Sequence, residues 1–97
     1  MKPPRGYTTL SACRCGREVL VDVDPEGQTH GAEHRSVSLI VEATERLAGR
    51  LSYELVTLDQ NGRSALIPRS VAAIRRDLER LSPRPRSIHL DHECETP

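Results

Sequence analysis

The sequence predicts an α+β fold, in which two helices cover a mostly antiparallel sheet of four to five strands. Three patterns carry this prediction. Apolar residues alternate at period two in several short segments, which is typical of half-buried strands. Two other segments repeat apolar residues at helical spacing. The pair Asn61-Gly62 lies between two strand-like segments, and such a pair is a strong hairpin signal that favours antiparallel pairing.

Two strands are predicted in the first third of the chain, at residues 7–12 and 18–23. The second strand places Val19 and Val21 on one face of its period-two pattern. The polar and aperiodic residues that follow, to about His34, predict a turn and a long loop.

Two amphipathic helices are predicted at residues 37–48 and 71–81. Ser36 and Ser70 are their candidate N-caps, because a serine hydroxyl accepts hydrogen bonds from the amides of the first turn. We expect the apolar stripe of each helix to pack against the sheet. The stripes comprise Val37, Ile40, Val41, Thr44, Leu47 and Ala48 in the first helix and Val71, Ile74, Leu78 and Leu81 in the second.

The second half of the chain predicts three further strands. Residues 51–58 and 64–67 flank Asn61-Gly62 and should form the hairpin. Residues 82–86 contain two prolines and predict an extended linker, because proline disfavours helix in the residue before it. The last strand is predicted at residues 87–94.

The chain has 97 residues, which fits one domain. We place this domain at residues 7–95, after a disordered lead-in at residues 1–6. The sequence has no Phe or Trp and only two Tyr, so aliphatic side chains that bury less area than aromatic rings must build the core. A small domain with such a core gains more than most from a cross-link or a bound metal ion.

Charge and hydropathy exclude several classes of protein. Fourteen basic residues balance fourteen acidic ones, so net charge points to no partner. Residues 1–6 lack the apolar segment of a signal peptide, and no apolar run approaches the roughly 18–20 residues of a membrane-spanning helix. Three cysteines cannot pair completely, which favours a reducing, cytoplasmic location.

The strongest functional signal is a matched pair of metal-ligand motifs near the two ends of the chain. One residue separates Cys13 from Cys15, and one residue separates His92 from Cys94. Thiolate and imidazole are preferred zinc ligands, and four of them complete a structural site. Residues i and i+2 of an extended backbone point to the same face. If the first and last strands lie side by side, the two pairs meet around one zinc ion.

The remaining histidines are weaker ligand candidates. His89 is expected on the opposite face of the last strand from His92. His30 and His34 lie in the predicted loop, and either could replace His92 only if that loop folds back. The competing interpretation is that the cysteines are small buried residues and His92 is a surface histidine. Two pairs of matched spacing favour the metal site.

Three short segments resemble small zinc-ribbon-like proteins of actinobacteria and their phages. They are Cys13-Arg14-Cys15-Gly16 before a Val-rich strand, Leu47-Ala48-Gly49-Arg50 before a Tyr-containing strand, and His92-Glu93-Cys94. The resemblance implies a zinc site and a bacterial or phage origin, and it implies no reaction. The Arg-rich second helix departs from the shorter pattern of that group, so a function located there would not carry over.

We expect a non-enzymatic protein-interaction module. Four protein ligands would fill the zinc shell and leave no position for an activated water. The sequence also lacks a phosphate-binding loop, a nucleophile elbow, an HExxH motif and the zinc-deaminase pattern. The exposed side of the predicted hairpin, at Val56 and Leu58, is one candidate for an edge that pairs with another chain.

The alternative is a nucleic-acid-binding or transcription-regulatory protein, in which arginines neutralise phosphates. No aromatic residues are interleaved to stack on bases, and an ordinary solvated helix face would look the same. The candidate residues lie on the second helix and its flanks: Arg69, Arg75, Arg76, Arg80, Arg84 and Arg86.

Overall fold

The computed structural model describes residues 8–23, 26–58, 63–80 and 85–93. Within these residues six strands form two antiparallel sheets, each of three strands. The elements are β1 (Thr9–Ala12), β2 (Glu18–Val23), β3 (Thr29–Glu33), α1 (Leu39–Leu47), β4 (Ser52–Thr57), β5 (Ser64–Pro68), α2 (Val71–Glu79) and β6 (Ile88–Leu90). The α+β class and the two helices are confirmed, whereas the predicted number of four to five strands in one sheet is wrong.

The additional strand is β3, which falls where the sequence predicted a loop. It pairs with β2, and Gly31 and Ala32 lie opposite Val21 and Leu20. Only Ala32 of this strand is buried, so the segment has no apolar alternation to indicate a strand. Backbone hydrogen bonds to β2 hold β3 in place. Because backbone groups of any residue type can form such bonds, the side chains of β3 do not reveal the strand.

Four other predicted strands are confirmed close to their predicted positions, whereas the last one, predicted at residues 87–94, is shorter and ends at Leu90. The sheet orders are β1-β2-β3 and β5-β4-β6, and the β4–β5 hairpin is confirmed by its antiparallel register. Several predicted features lie outside the described residues: the lead-in at residues 1–6, the turn at Asn61-Gly62, and most of the linker at residues 82–86.

The start of α1 differs from the prediction. Its N-cap is Ser38, whose hydroxyl accepts a hydrogen bond of 3.2 Å from the amide of Val41. Ser36 cannot serve, because Val37 is held in extended conformation by a bridge to Ile88. The predicted N-cap of α2 is confirmed, since the Ser70 hydroxyl accepts from the amide of Ala73 at 3.1 Å.

The core lies between the two sheets. Leu20 and Ala32 of the first sheet pack against Tyr53 and Leu66 of the second. The buried carboxylate of Asp22 adds a polar tie, because its Oδ2 accepts a hydrogen bond of 2.9 Å from the Leu66 amide. A core of this size contains few large side chains, in agreement with the composition.

The helices lie on the other face of the second sheet, and this face carries both polar and apolar side chains. Ile88 and Leu90 of β6, opposite Glu54 and Ser52 in register, are buried there. Strand residues alternate between faces, so the side of β4 that carries Tyr53 meets the first sheet. The other side carries Ser52, whose hydroxyl donates to Glu42 of α1 at 2.5 Å. The expectation that the apolar stripe of α1 packs on the sheet is therefore wrong: Glu42 is fully buried, whereas Leu47 is 91% exposed. The stripe of α2 is only partly buried, through Ile74. A buried polar group such as the Ser52 hydroxyl requires a hydrogen-bond partner, and Glu42 supplies it.

A network of buried charges joins the helices to the second sheet. Arg69 donates two hydrogen bonds to the Glu42 carboxylate, at 2.8 and 3.0 Å, and lies 2.9 Å from Asp77 Oδ2. Arg86 lies 2.9 Å from both Asp77 and Glu54. The hydrogen bonds that Arg69 donates to Glu42 raise the pKa of Arg69 against the effect of burial. Burial alone would raise the pKa of Asp77, but Arg69 and Arg86 together hold it below its ordinary value.

Candidate metal centre

The hairpin turn between β1 and β2 presents the first two candidate ligands, Cys13 and Cys15. The Cys13 amide donates to the Arg17 carbonyl at 2.8 Å, and the Gly16 amide donates to the Cys13 carbonyl at 2.9 Å. Gly16 has a φ of 88°, which is the left-handed conformation that glycine adopts without strain. These contacts form a tight turn that holds both cysteines between β1 and β2.

His92 reaches this turn from the other end of the chain, immediately after β6. Asp91 forms a bridge with Ala32, and the His92 amide donates to the Gly31 carbonyl at 2.9 Å. We expected the first and last strands to be neighbours, but β1 pairs with β2 and β6 pairs with β4. Strand β3 instead connects the two ends of the chain, by pairing with β2 and holding the segment after β6.

The three side chains converge. One ligand atom each from Cys13, Cys15 and His92 lies within 4.8 Å of the others, and Cys15 Sγ is 3.6 Å from His92 Nε2. Metal–ligand distances of about 2.0–2.3 Å place the ligand atoms of a tetrahedral zinc about 3.4–3.8 Å apart. All three residues are half-buried. They lie close enough to bind a metal ion without rearrangement of the fold.

A carboxylate lies behind the imidazole. His92 Nδ1 is 3.4 Å from Glu33 Oε1, and the same oxygen is 3.3 Å from Arg50 and 3.4 Å from Arg17. A histidine that binds a metal through one nitrogen usually directs the other nitrogen to a carboxylate or carbonyl, which fixes its tautomer. Sequence reasoning missed Glu33, because it ends a strand that the apolar pattern does not reveal.

The structure also shows which histidine lies beside the two cysteines. His89 is buried, with Nδ1 donating to the Glu33 carbonyl at 2.9 Å and Nε2 lying 2.7 Å from the Ser87 hydroxyl. His30 lies beside the Tyr53 hydroxyl at 3.4 Å. His34 lies 3.6 Å from Glu18. Within the described part of the chain, His92 is therefore the histidine in the cluster.

Cys94, the fourth predicted ligand, lies outside the described residues. Its participation stays a prediction from its spacing of two residues from His92. If Cys13, Cys15 and His92 bind a zinc ion, one position of its tetrahedral shell is left for a further ligand.

Among the described residues, four arginines of the nucleic-acid alternative line one cleft between α2 and β5: Arg69, Arg76, Arg80 and Arg86. Arg69 is only 6% exposed and is neutralised inside the fold by Glu42 and Asp77. Arg86 is half-buried in ion pairs with Glu54 and Asp77. Arg84 lies outside the described residues. The remaining three, Arg75, Arg76 and Arg80, are exposed on α2 or at its end.

Comparison with protein-family models, with curated proteins and with solved structures finds no match to this chain. The resemblance to the actinobacterial and phage zinc-ribbon-like proteins therefore stays a prediction. Among the helices described, none has the length and apolar character needed to cross a membrane.

Proposed function

We propose that this chain is a non-enzymatic protein-interaction module whose fold is closed by a structural zinc ion, bound by Cys13, Cys15, His92 and Cys94. The observation that carries the proposal is the meeting of Cys13, Cys15 and His92 within 4.8 Å. These residues come from opposite ends of the chain and have the side chains that zinc prefers. The proposal includes a cytoplasmic location and a bacterial or phage origin, supported by the cysteine content and the resemblance.

Energetics favour a structural role for the metal. Closing a loop as long as the one between the two ligand pairs costs roughly 3–4 kcal/mol of chain entropy. Structural zinc contributes about 10–16 kcal/mol in small peptides near neutral pH. Among the described residues, the buried apolar side chains are aliphatic apart from Tyr53. The metal would therefore supply stability that a core without large aromatic clusters lacks.

The donor set also supports a structural rather than a catalytic ion. A shell of three thiolates and one imidazole leaves no position for water, and catalytic zinc sites keep such a position open. The closed shell requires Cys94 as its fourth ligand.

Metal analysis of the purified protein is the direct test. We expect one equivalent of zinc, and we expect a chelator to lower the melting temperature steeply. Cys15→Ser and Cys94→Ser should each reduce zinc content and stability. The matched control is His34→Ala, which changes an exposed histidine outside the cluster and should change neither.

Less than half an equivalent of zinc, together with a fold that is unaffected by chelator, would remove the proposal. Replacing zinc by Co²⁺ distinguishes a closed shell of four protein ligands from a shell with an open fourth position. A closed shell should give a tetrahedral thiolate spectrum that Cys94→Ser weakens, whereas a spectrum unchanged by Cys94→Ser would indicate an open fourth position.

The nucleic-acid alternative keeps three exposed arginines, Arg75, Arg76 and Arg80. Binding through these residues should weaken as salt rises, because counterions compete for phosphates. A duplex-DNA binding assay at low salt, with the Arg75→Ala/Arg76→Ala variant beside the parent protein, tests it. An absence of binding at low salt rejects this alternative.

A further inference from the structure

A cleft of about 230 Å³ separates one flank of α2 from the end of β5, and its walls carry four arginines. Two of them, Arg69 and Arg86, are held by the carboxylates of the network that joins the helices to the second sheet. The other two, Arg76 and Arg80, are exposed. The cleft therefore contains two paired guanidinium groups beside two that face solvent.

The guanidinium groups of Arg76 and Arg80 have no carboxylate partner in the part of the chain that the structure describes. Asp77 lies between them in sequence and lines the same cleft. Its carboxylate is already bound, because Arg69 and Arg86 each lie 2.9 Å from its Oδ2. The donors of the two exposed arginines are thus open to an outside anion.

The other acidic residues near the cleft do not cancel this charge. Glu54 lines the cleft, but Arg86 lies 2.9 Å from its carboxylate. Glu42 lies behind the cleft, where Arg69 binds it. Glu79, at the end of α2, does not line the cleft. The excess positive charge therefore lies on the two unpaired arginines.

The spacing of the two unpaired arginines brings their charges together. Arg76 and Arg80 are four residues apart, so their side chains project from the same side of α2. Like charges at this spacing destabilise a helix, and an anion bound between them removes the repulsion. Ala73, one turn earlier, also lines the cleft, and its small side chain leaves room there for a ligand.

We propose that this cleft binds a phosphate monoester dianion, with the phosphate oxygens between the guanidinium groups of Arg76 and Arg80. A guanidinium presents its donors as a planar fork that pairs with two oxygens at once. A phosphate monoester has three terminal oxygens and a charge of about −1.5 to −2 at pH 7. One phosphate group can therefore pair with both arginines, whereas a carboxylate offers two oxygens and a single charge.

The size of the cleft and its opposite wall limit the ligand. Pockets for drug-sized molecules measure about 300–1,000 Å³, so the smaller cleft suits one phosphate and the group that it esterifies. Ile67, which is 46% exposed, and Pro68 line the side formed by β5. These apolar side chains would contact the esterified group. A phosphorylated side chain of a partner protein and a small phosphorylated molecule share this chemistry.

Titration of the ¹⁵N-labelled protein with phenyl phosphate, followed by NMR, tests the site. We expect saturable shifts of the amides around Arg76 and Arg80. The dissociation constant should be on the order of 1 mM, as two charge-assisted contacts at an exposed site would give. Binding should weaken below about pH 6, where the phosphate gains its second proton.

Phenyl sulfate is the matched ligand control, because it has a similar shape and a single charge. It should bind several-fold more weakly than phenyl phosphate. Shifts at α2 that are absent at about 10 mM phenyl phosphate, ten times the expected dissociation constant, overturn the proposal. Equal binding of the sulfate overturns the assignment to a dianion.

Arg75→Ala is the matched protein control, because Arg75 is exposed on α2 but does not line the cleft. Arg76→Ala and Arg80→Ala should each weaken phenyl phosphate binding about tenfold or more, whereas Arg75→Ala should leave it nearly unchanged. The fold should tolerate all three changes, because the side chains are exposed and alanine favours a helix. Equal losses in the three variants overturn the cleft and match the diffuse phosphate contacts of the nucleic-acid alternative.

A phosphoserine peptide library and its unphosphorylated form distinguish the two sources of the phosphate. Tighter binding of the phosphopeptides than of phenyl phosphate, lost in Arg76→Ala, supports the site and assigns it to a phosphorylated partner protein. Phosphopeptide binding no tighter than that of phenyl phosphate supports the site and assigns it to a small phosphorylated molecule. Equal binding of the unphosphorylated peptides overturns the phosphate assignment.

The cleft shares no residue with the cluster of Cys13, Cys15 and His92, and phosphate binding goes beyond the proposed function. Zinc content measured on the same samples should be equal in the parent protein and the three arginine variants. Phosphate binding without zinc would contradict only the proposed metal site, and zinc without phosphate binding would contradict only the proposed cleft.

Discussion

Local sequence patterns predict the metal corner, which comprises Cys13, Cys15 and His92, better than they predict the helix layer, which comprises α1 and α2. At the metal corner, residues chosen by ligand type and spacing come together as expected, and Cys13, Cys15 and His92 converge. In the helix layer, the amphipathic pattern predicted helices but not their orientation, since Glu42 is buried and Leu47 is exposed. Ligand chemistry belongs to the residue itself, whereas the buried face of a helix depends on what lies opposite.

The largest loss of folding stability should come from replacing Arg69. This substitution tests whether the buried charges of the helix layer hold the fold together. Arg69→Ala leaves the buried carboxylates of Glu42 and Asp77 without their main partner. Removing one member of a buried ion pair typically costs about 3–5 kcal/mol, and we expect a loss of that size in chemical denaturation. Arg76→Ala, an exposed arginine, is the control and should change stability little. Equal effects of the two substitutions would show that Arg69 is not a structural residue.

A smaller effect is expected from the carboxylate behind His92, and it tests whether the metal corner extends beyond its ligands. Glu33 Oε1 lies 3.4 Å from His92 Nδ1. Loss of such an outer carboxylate typically lowers metal affinity about 10–100-fold. Competition with a chelator should show a drop of this order for Glu33→Gln. Glu45→Gln, which also changes a partner of Arg50, should leave the affinity nearly unchanged, and a similar drop there would assign the effect to Arg50.

The smallest effect concerns Tyr53 at the junction of the sheets. Burial, and then the charge and hydrogen bond of Asp91, raise the pKa of Tyr53 from 10.0 to about 12. The folded state therefore favours the neutral phenol. Its contribution to stability is present below pH 10 and is lost as pH rises from 10 to about 12.

Denaturation curves across this pH window give the measurement. The parent protein should lose stability as pH rises, and Tyr53→Phe should lose less over the same range. If the two proteins lose equal stability, then Tyr53 does not carry this pH dependence.

Much of the fold followed from local patterns. Ser70 marks the start of α2 because capping depends on its own hydroxyl and the next few amides. Gly16 marks the cysteine turn because only the local backbone conformation matters there. Strand β3 could not be found in this way, since its pairing with β2 is backbone to backbone and its residues show no apolar alternation.

The sequence by itself determined the α+β class, most element positions and the candidate ligand set. These depend on periodicity, capping and donor chemistry, all of which act over a few residues. Only the tertiary structure decided that β3 joins the two ends of the chain and that Arg69 lies in the interior. It also decided that the apolar stripe of α1 faces outward. The two sheets bury apolar side chains against each other, and on the outer face of the second sheet the buried Ser52 needs a polar partner, which Glu42 on the charged side of α1 supplies.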